Sequence, residues 1–340
     1  MKRHGNLWDR IISWDNMLLA YKKARKGKSK MRNVKRFALD WERNLRHIQR
    51  MLIDKTFTTS PYHVKHVYEP KFRQIYVLPF SPDRIVQHAA MNILEPIWDK
   101  FLVPQSYSCR IGKGVFAGHQ HIARAIPKYK YCLKCDISKF YPSINHDIMY
   151  EIVQQKIKCS DTLWLLNDII YSIGGGKNVP IGNYTSQWFA NLYLDVLDRW
   201  AIHTLRMEYL RYCDDFVFLS NDKDKLNYIK DRLPKFLMYE RKLVLSKNEL
   251  FPTTRGVDFL GYRFFSNGCI LLRKRTAKNI KRRMRWVRDK IYEGNDPLLY
   301  QSKVSSALGA LRWCNSFHLR KSMKLSKLVK RTGIKTSFRI

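Results

Sequence analysis

The sequence predicts an α+β protein in which a split βαβ sheet is set among helices and followed by a basic helical tail. Three observations carry that expectation. Short strand-like runs alternate with helical patterns between about 60 and 265. An adjacent carboxylate pair, Asp214-Asp215, stands between Leu210-Arg211 and the apolar, β-prone run Phe216-Val217-Phe218-Leu219. After residue 272 the composition turns strongly basic.

Residues 7 to 53 carry helical periodicity interrupted by Lys22-Lys23-Ala24-Arg25-Lys26-Gly27-Lys28, which predicts two helices and a loop. Strands are expected at about 62 to 68 and 73 to 78, then helices at about 83 to 101 and 115 to 126. Tyr131 to Asp136 reads as a short strand ending in an acid. Helices at about 146 to 157, 161 to 172 and 185 to 206 lead to the strand pair around Asp214-Asp215. A helix at about 223 to 240 and strands at about 243 to 265 complete the split βαβ pattern. From 273 onward Arg273, Lys274, Arg275, Lys278, Lys281, Arg282, Arg283, Arg285, Arg288 and Lys290 crowd one segment. Positions 278, 281, 282 and 285 share a helical face, with Trp286 and Trp313 expected underneath. The chain is therefore divided into residues 1–272 and a helical body over 273–340.

Like charges held side by side repel, so a fold that keeps them usually neutralises them with cations. Asp136 supplies a third carboxylate, and an aromatic pair, Phe140-Tyr141, begins four residues later. Two Mg²⁺ ions roughly 3.5–4 Å apart can clamp the attacking and leaving oxygens of a phosphoryl transfer, and Mg²⁺ prefers hard oxygen ligands. A DD pair is ordinarily a solvated turn. Its place between apolar strands, with the upstream acid, favours the metal reading.

Lys and Arg number 64 against 28 acids, a formal charge of +36. A polyanion is the natural counterpart of that field. No uninterrupted apolar run reaches the roughly 18 residues of a membrane span, and Met1-Lys2-Arg3-His4 leads into an amphipathic segment rather than a signal-peptide core. A cytoplasmic protein with no membrane partner and seven reduced thiols is expected. Cys132-x-x-Cys135 has zinc-like spacing without a second pair, and reads as core thiols. His119 and His121 read as structural.

Taken together, these residues resemble the reverse transcriptase family. Tyr212-Cys213-Asp214-Asp215 matches that family's active-site turn, and Asp136 with Tyr141 its first catalytic motif. In the family's order stand Glu69-Pro70-Lys71-Phe72-Arg73 with Asp83-Arg84-Ile85-Val86-Gln87, then Ser106-Tyr107-Ser108-Cys109-Arg110-Ile111-Gly112. Pro180-Ile181-Gly182-Asn183-Tyr184-Thr185-Ser186-Gln187 resembles the template and nucleotide loop, and Gly256-Val257-Asp258-Phe259-Leu260-Gly261-Tyr262 the primer grip. The resemblance is strong over about 60 to 265 and weak in the flanks. Pro180-Ile181-Gly182 with Ser186-Gln187, where many relatives read Pro-Gln-Gly and Ser-Pro, is most similar to reverse transcriptases of diversity-generating retroelements.

The resemblance implies a right-hand polymerase with fingers, a palm carrying the split βαβ sheet, and a helical thumb. It implies cDNA synthesis from an RNA template by two-metal nucleotidyl transfer, error-prone in a diversity-generating system. Asp136, Asp214 and Asp215, with the Ile137 carbonyl, would hold two Mg²⁺ ions, with Mn²⁺ as a substitute. Lys71 and Arg73 would clamp the triphosphate; Tyr141 would gate the sugar; Ile181, Gly182 and Gln187 would line the nucleotide site. Phe259, Leu260 and Gly261 would grip the primer. Arg110, Lys278, Lys281, Arg282, Arg283 and Arg285 would track the nucleic-acid backbone. The implied partners are template RNA, a cDNA or RNA primer, deoxynucleoside triphosphates and a candidate small accessory protein oligomer. The family's lysine after the catalytic strands is not matched, since Glu249 stands near its place and Lys247 two residues earlier. An antiphage defence reverse transcriptase, an RNA-dependent RNA polymerase and a non-catalytic RNA-binding module of polymerase fold remain the alternatives.

Overall fold

The computed structural model describes residues 3–68 and 72–335. The amino-terminal segment forms four helices rather than two: α1 (Trp8–Ile12), α2 (Trp14–Arg25), α3 (Arg32–Leu39) and α4 (Trp41–Ile53). Periodicity runs through the breaks, and at the first of them a capping residue stops it. Ser13 is extended and its Oγ accepts from Asn16 N at 3.4 Å, ending α1 and starting α2. Buried Asn16 donates to the carbonyls of Ile11 (2.7 Å) and Ala89 (3.0 Å), tying this pair to α5 (Ile85–Asp99).

Between them β1 (His63–Val67) and β2 (Arg73–Val77) form an antiparallel pair, with His63 opposite Val77. After α6 (Val115–Ala125) come β3 (Tyr131–Ile137), the short α7 (Phe140–Ser143), α8 (His146–Gln154) and α9 (Ser160–Tyr171). The single helix expected at 185 to 206 is broken into α10 (Tyr184–Tyr193), α11 (Asp195–Arg199) and a wider turn over Trp200–Thr204, because Leu194 leaves helical geometry at φ −94°, ψ 1°. Then follow β4 (Glu208–Tyr212), β5 (Asp215–Ser220), α12 (Lys223–Arg241) and β6 (Leu245–Pro252). The central sheet has the order β4-β5-β3-β6, so sequence-distant β3 and β5 are neighbours. That crossover is what brings Asp136 beside Asp214-Asp215.

A second, antiparallel sheet is built from β7 (Val257–Phe259), β8 (Tyr262–Phe264) and β9 (Ile270–Leu272). The tail folds as α13 (Lys274–Tyr292), α14 (Gln301–Leu311), α15 (Phe317–Ser322) and α16 (Leu325–Arg331). Its helices enclose a core of their own that includes Met284, Val287, Val304, Leu311, Leu325 and Leu328. The basic face of α13 is exposed as the spacing predicts, but the expected underside is corrected. Ile280, Met284 and Val287 face inward, whereas Trp286 is 44% exposed and meets Tyr300 edge-on.

The boundary placed at residue 272 is corrected as well. The chain divides into one compact unit of residues 1–114, 135–216 and 231–248 and another of 115–134, 217–230 and 249–340. The second unit takes in α6 because Phe116 packs on Trp313 at 3.9 Å and His119 lies against Tyr262 and Phe264. All seven cysteines are thiols, with Cys132 and Cys135 fully buried. No helix among the described residues is long and apolar enough to cross a membrane.

Candidate active site

Asp136 is the penultimate residue of β3, where the strand emerges from a buried run and the carboxylate regains partial exposure. The Ile137 N–H donates to the Asp214 carbonyl at 3.2 Å, so the end of β3 and the β4–β5 turn are held together by backbone. On the other side of β3, the Ser138 N–H donates to Val244 O at 2.8 Å, and Ser246 Oγ lies 2.6 Å from Asp136 Oδ2. Ser246 therefore fixes the orientation of the Asp136 carboxylate. Asp214 closes the turn and Asp215 opens β5, so all three acids gather at one end of the sheet.

The turn is positioned from below by a buried ion pair that sequence reasoning missed. Arg211 and Asp198 are both 0% exposed. Arg211 Nε donates to Asp198 Oδ1 at 2.7 Å and Nη2 to Oδ2 at 2.6 Å, a bidentate fork. The remaining donors reach Asn191 Oδ1 (3.2 Å), Ser106 Oγ (3.0 Å) and the Cys213 carbonyl (3.0 Å). Burial alone would lower the guanidinium pKa, but the Asp198 carboxylate outweighs it and raises it above its ordinary value. Tyr209 donates its hydroxyl to the same carboxylate at 2.8 Å. Cys213 sits at φ +54°, a left-handed conformation that costs a non-glycine residue free energy. The Arg211 bond to its carbonyl is one of the contacts that hold it there. Ser106 bridges Arg211 in parallel register, and the Ser108 hydroxyl lies 2.7 Å from the Cys213 sulfur.

Tyr141 sits in α7, reached through Lys139 at φ +42°. Its carbonyl accepts from Val179 N at 3.0 Å, and its phenol is pushed above its ordinary pKa by burial first and then by Cys213, Cys109 and Asp214. The loop ahead of α10 is docked on β2: Tyr76 N donates to Ile181 O at 2.8 Å, and Asn178 Nδ2 to the Tyr76 hydroxyl at 3.0 Å. Gly182 has φ +126°, and a Cβ there would lie 2.5 Å from the Tyr76 carbonyl oxygen, so only glycine permits this approach. Tyr141, Ile181, Gly182 and Gln187 line one cavity of about 360 Å³ together with Lys23, Lys28, Arg84 and His88. Burial first, then the Lys28, Arg84 and Lys23 charges, hold the His88 imidazole down to about 4.

Other expected residues fall elsewhere. Lys71 lies outside the described residues, and Arg73 is exposed at the start of β2. Arg110 is corrected from a backbone contact to a structural cap. It donates to Asp99 Oδ1 (2.6 Å) and to the carbonyls of Val103 (2.6 Å), Ser106 (3.1 Å), Asp99 (3.2 Å) and Leu102 (3.4 Å), with its side chain 6% exposed, so its donors are already committed. Phe259 is corrected too: its ring is 1% exposed, and only the Leu260-Gly261 turn, at φ +52° and +86°, reaches the surface. Lys278, Lys281, Arg282, Arg283 and Arg285 are all exposed on α13.

Among the described residues, no three His, Cys, Asp or Glu side chains are set closely enough to form a metal cage. The hard-oxygen donors present nevertheless suit Mg²⁺, which keeps several waters and is commonly held by one or two carboxylates plus substrate phosphates.

A model of the family "Reverse transcriptase (RNA-dependent DNA polymerase)" matches residues 64–264, more than half of the chain. The chain belongs to the reverse transcriptase family. It is 24% identical over 272 residues to protein YkfC of Escherichia coli (strain K12), covering 64% of this chain and 68% of YkfC. It is 21% identical over 319 residues to the group II intron-encoded protein LtrA of Lactococcus lactis subsp. cremoris, covering 71% of this chain and 53% of LtrA. This reverse transcriptase thus spans about half the length of that relative. Among solved structures, a telomerase from Candida albicans determined with a fragment of telomeric RNA superposes with a TM-score of 0.50 at 10% identity, over 82% of this chain and 61% of the telomerase chain. That likeness concerns the fold, which is mixed α and β and consistent with a right-hand polymerase.

Proposed function

We propose that this reverse transcriptase copies RNA into DNA, with Asp136 and Asp214 binding the catalytic divalent ions and Asp215 supporting them. The observation that carries the reading is the backbone bond between Ile137 and Asp214, which unites two distant carboxylate motifs at one sheet end. Bound Mg²⁺ would neutralise the triphosphate and favour ionisation of the primer 3′-hydroxyl. Ser246 orients Asp136, the Tyr141 ring in the cavity with Ile181 and Gly182 would exclude a ribose 2′-hydroxyl, and the exposed cations of α13 would contact the nucleic-acid backbone. Primer extension on an RNA template with competing deoxy- and ribonucleotides tests both the activity and the gate. Wild type should incorporate deoxynucleotides selectively, and Tyr141→Ala should lose selectivity while remaining folded. Absence of extension by wild type would overturn the assignment; equal selectivity in both would reduce Tyr141 to packing.

The finer reading is mutagenic copying in a diversity-generating retroelement. Its support is Ile181, an apolar residue in the cavity beside Tyr141. A glutamine there could hydrogen-bond around the nascent pair, and a bond worth about 1–1.5 kcal/mol corresponds to about tenfold in misincorporation. Ile181→Gln should therefore lower the error frequency on a fixed RNA template. An unchanged error spectrum with intact activity would reject the fidelity role.

A further inference from the structure

The chemistry above uses no thiol, yet one stands inside the catalytic turn. Cys213 separates Tyr212 from Asp214, and the chain ahead of α6 brings a second thiol, Cys109, against it. Backbone builds the approach. Arg211 N donates to Gln105 O and Tyr107 N to Arg211 O, both at 3.0 Å, so residues 105–109 run alongside 211–213. Asn191, which accepts from Arg211, also donates from its amide to the Ser108 carbonyl at 2.9 Å and anchors the same segment. The two thiols are thereby held in hydrogen-bond contact with each other. Ser108 Oγ lies 3.2 Å from the Cys109 sulfur and 2.7 Å from the Cys213 sulfur, so one hydroxyl serves both. Cys109 and Cys213 are partly exposed, whereas Cys132 and Cys135 are buried in β3. A small solvent-borne oxidant can reach the first pair and not the second.

We propose that Cys109 and Cys213 form a reversible disulfide under hydrogen peroxide, and that this cross-link switches off the active-site turn. The cross-link follows from the thiol geometry alone; its consequence for activity rests on the polymerase reading. One thiolate attacks the peroxide, so that an S–O bond forms, the O–O bond breaks, and the departing hydroxide takes up the proton that the thiol gave up, leaving as water. The other sulfur then displaces the sulfenic oxygen as a second water, and the S–S bond forms as S–O breaks. Together the two thiols lose two electrons and two protons, and the peroxide is reduced to water. A dithiol reverses the bond and is itself oxidised to a disulfide. Closing the sulfurs from hydrogen-bond contact to about 2.0 Å draws Cys213 toward Cys109 and expels the Ser108 hydroxyl from between them. Asp214 is the next residue. A displacement of about 1 Å at a catalytic group can cost about a hundredfold in rate.

The test treats the full chain with hydrogen peroxide, maps cross-linked peptides by mass spectrometry without reduction, and follows primer extension before oxidation, after it, and after dithiothreitol. A linkage between the peptides that carry Cys109 and Cys213 is expected, with extension falling about a hundredfold and returning on reduction. Cys109→Ser, checked for folding by thermal unfolding, should extend primers as wild type does and resist the same peroxide treatment. Cys109→Ala gives the same comparison without a hydroxyl. Absence of the Cys109–Cys213 linkage in oxidised wild type would overturn the proposal, a result that depends on no variant. Linkage with unchanged extension would reduce the pair to packing, and equal inactivation of wild type and both Cys109 variants would place the damage elsewhere; either overturns the switch. If wild type extends no primer before oxidation but the linkage forms and reverses, the thiol pair stands and the polymerase reading fails instead.

Discussion

Asp214→Asn will abolish measurable primer extension on an RNA template, and Asp136→Asn will do the same. Each substitution keeps side-chain shape and removes one metal-binding charge. A loss of about 4 kcal/mol of transition-state stabilisation is about a thousandfold in rate, at about 1.36 kcal/mol per decade. The backbone bond from Ile137 to Asp214 and the Ser246 contact to Asp136 do not depend on those charges being paired with each other, so the folded state should persist. Thermal unfolding of each variant checks that. Near-normal extension by either Asn variant would remove it from the catalytic assignment. Ser246→Ala gives a graded comparison: Asp136 keeps its charge and loses its orienting hydroxyl, so a smaller loss, confined to kcat, is expected.

The second large effect is on stability. Arg211→Met leaves the Asp198 carboxylate buried without its bidentate partner, and breaking such a pair costs about 3–5 kcal/mol. Urea unfolding should show that loss directly. Replacing both partners with apolar residues, Arg211→Met with Asp198→Leu, should recover much of the stability because no lone buried charge remains. Extension should not recover in parallel, since the Cys213 carbonyl still lacks the Arg211 donor that helps hold the left-handed turn. Parallel recovery of stability and kcat would mean that Arg211 only stabilises the fold.

These two predictions differ in how they could be reached. The acids stand out as candidates because paired carboxylates between apolar strands have few uses and Asp136 lies near the end of a strand of its own. Tyr141, Ile181 and Gly182 stand out through their motifs, and they line one cavity. Arg211 does not stand out, although it lies one residue before Tyr212-Cys213-Asp214-Asp215. An arginine between Leu210 and Tyr212 reads as an exposed strand position until Asp198, thirteen residues earlier, is seen to face it. Ser246 likewise is an ordinary polar residue in sequence and meets Asp136 only because β6 lies beside β3.

The failures have the same origin. Arg110 carries a charge that suits phosphate, yet its donors are consumed by Asp99 and by carbonyls near the end of α5. Phe259 lies in a motif but points into packing. Trp286 reads as part of an apolar underside, whereas the helix phase of α13 is set by Ile280, Met284 and Val287. The run at Lys22 to Lys28 reads in the sequence as a loop between helices, and its shared cavity with Arg84 arises only when α2 packs against α5.

By itself the sequence determined the α+β class, most of the order of strands and helices, and the carboxylates to be weighed as ligands, because periodicity and residue chemistry are local properties. Only the tertiary structure decided which acids share a sheet end, which arginine is a cap and which is a buried strut. Those depend on the company each group keeps after packing, since the same guanidinium is neutralised by a carboxylate or committed to carbonyls according to its neighbours in the fold.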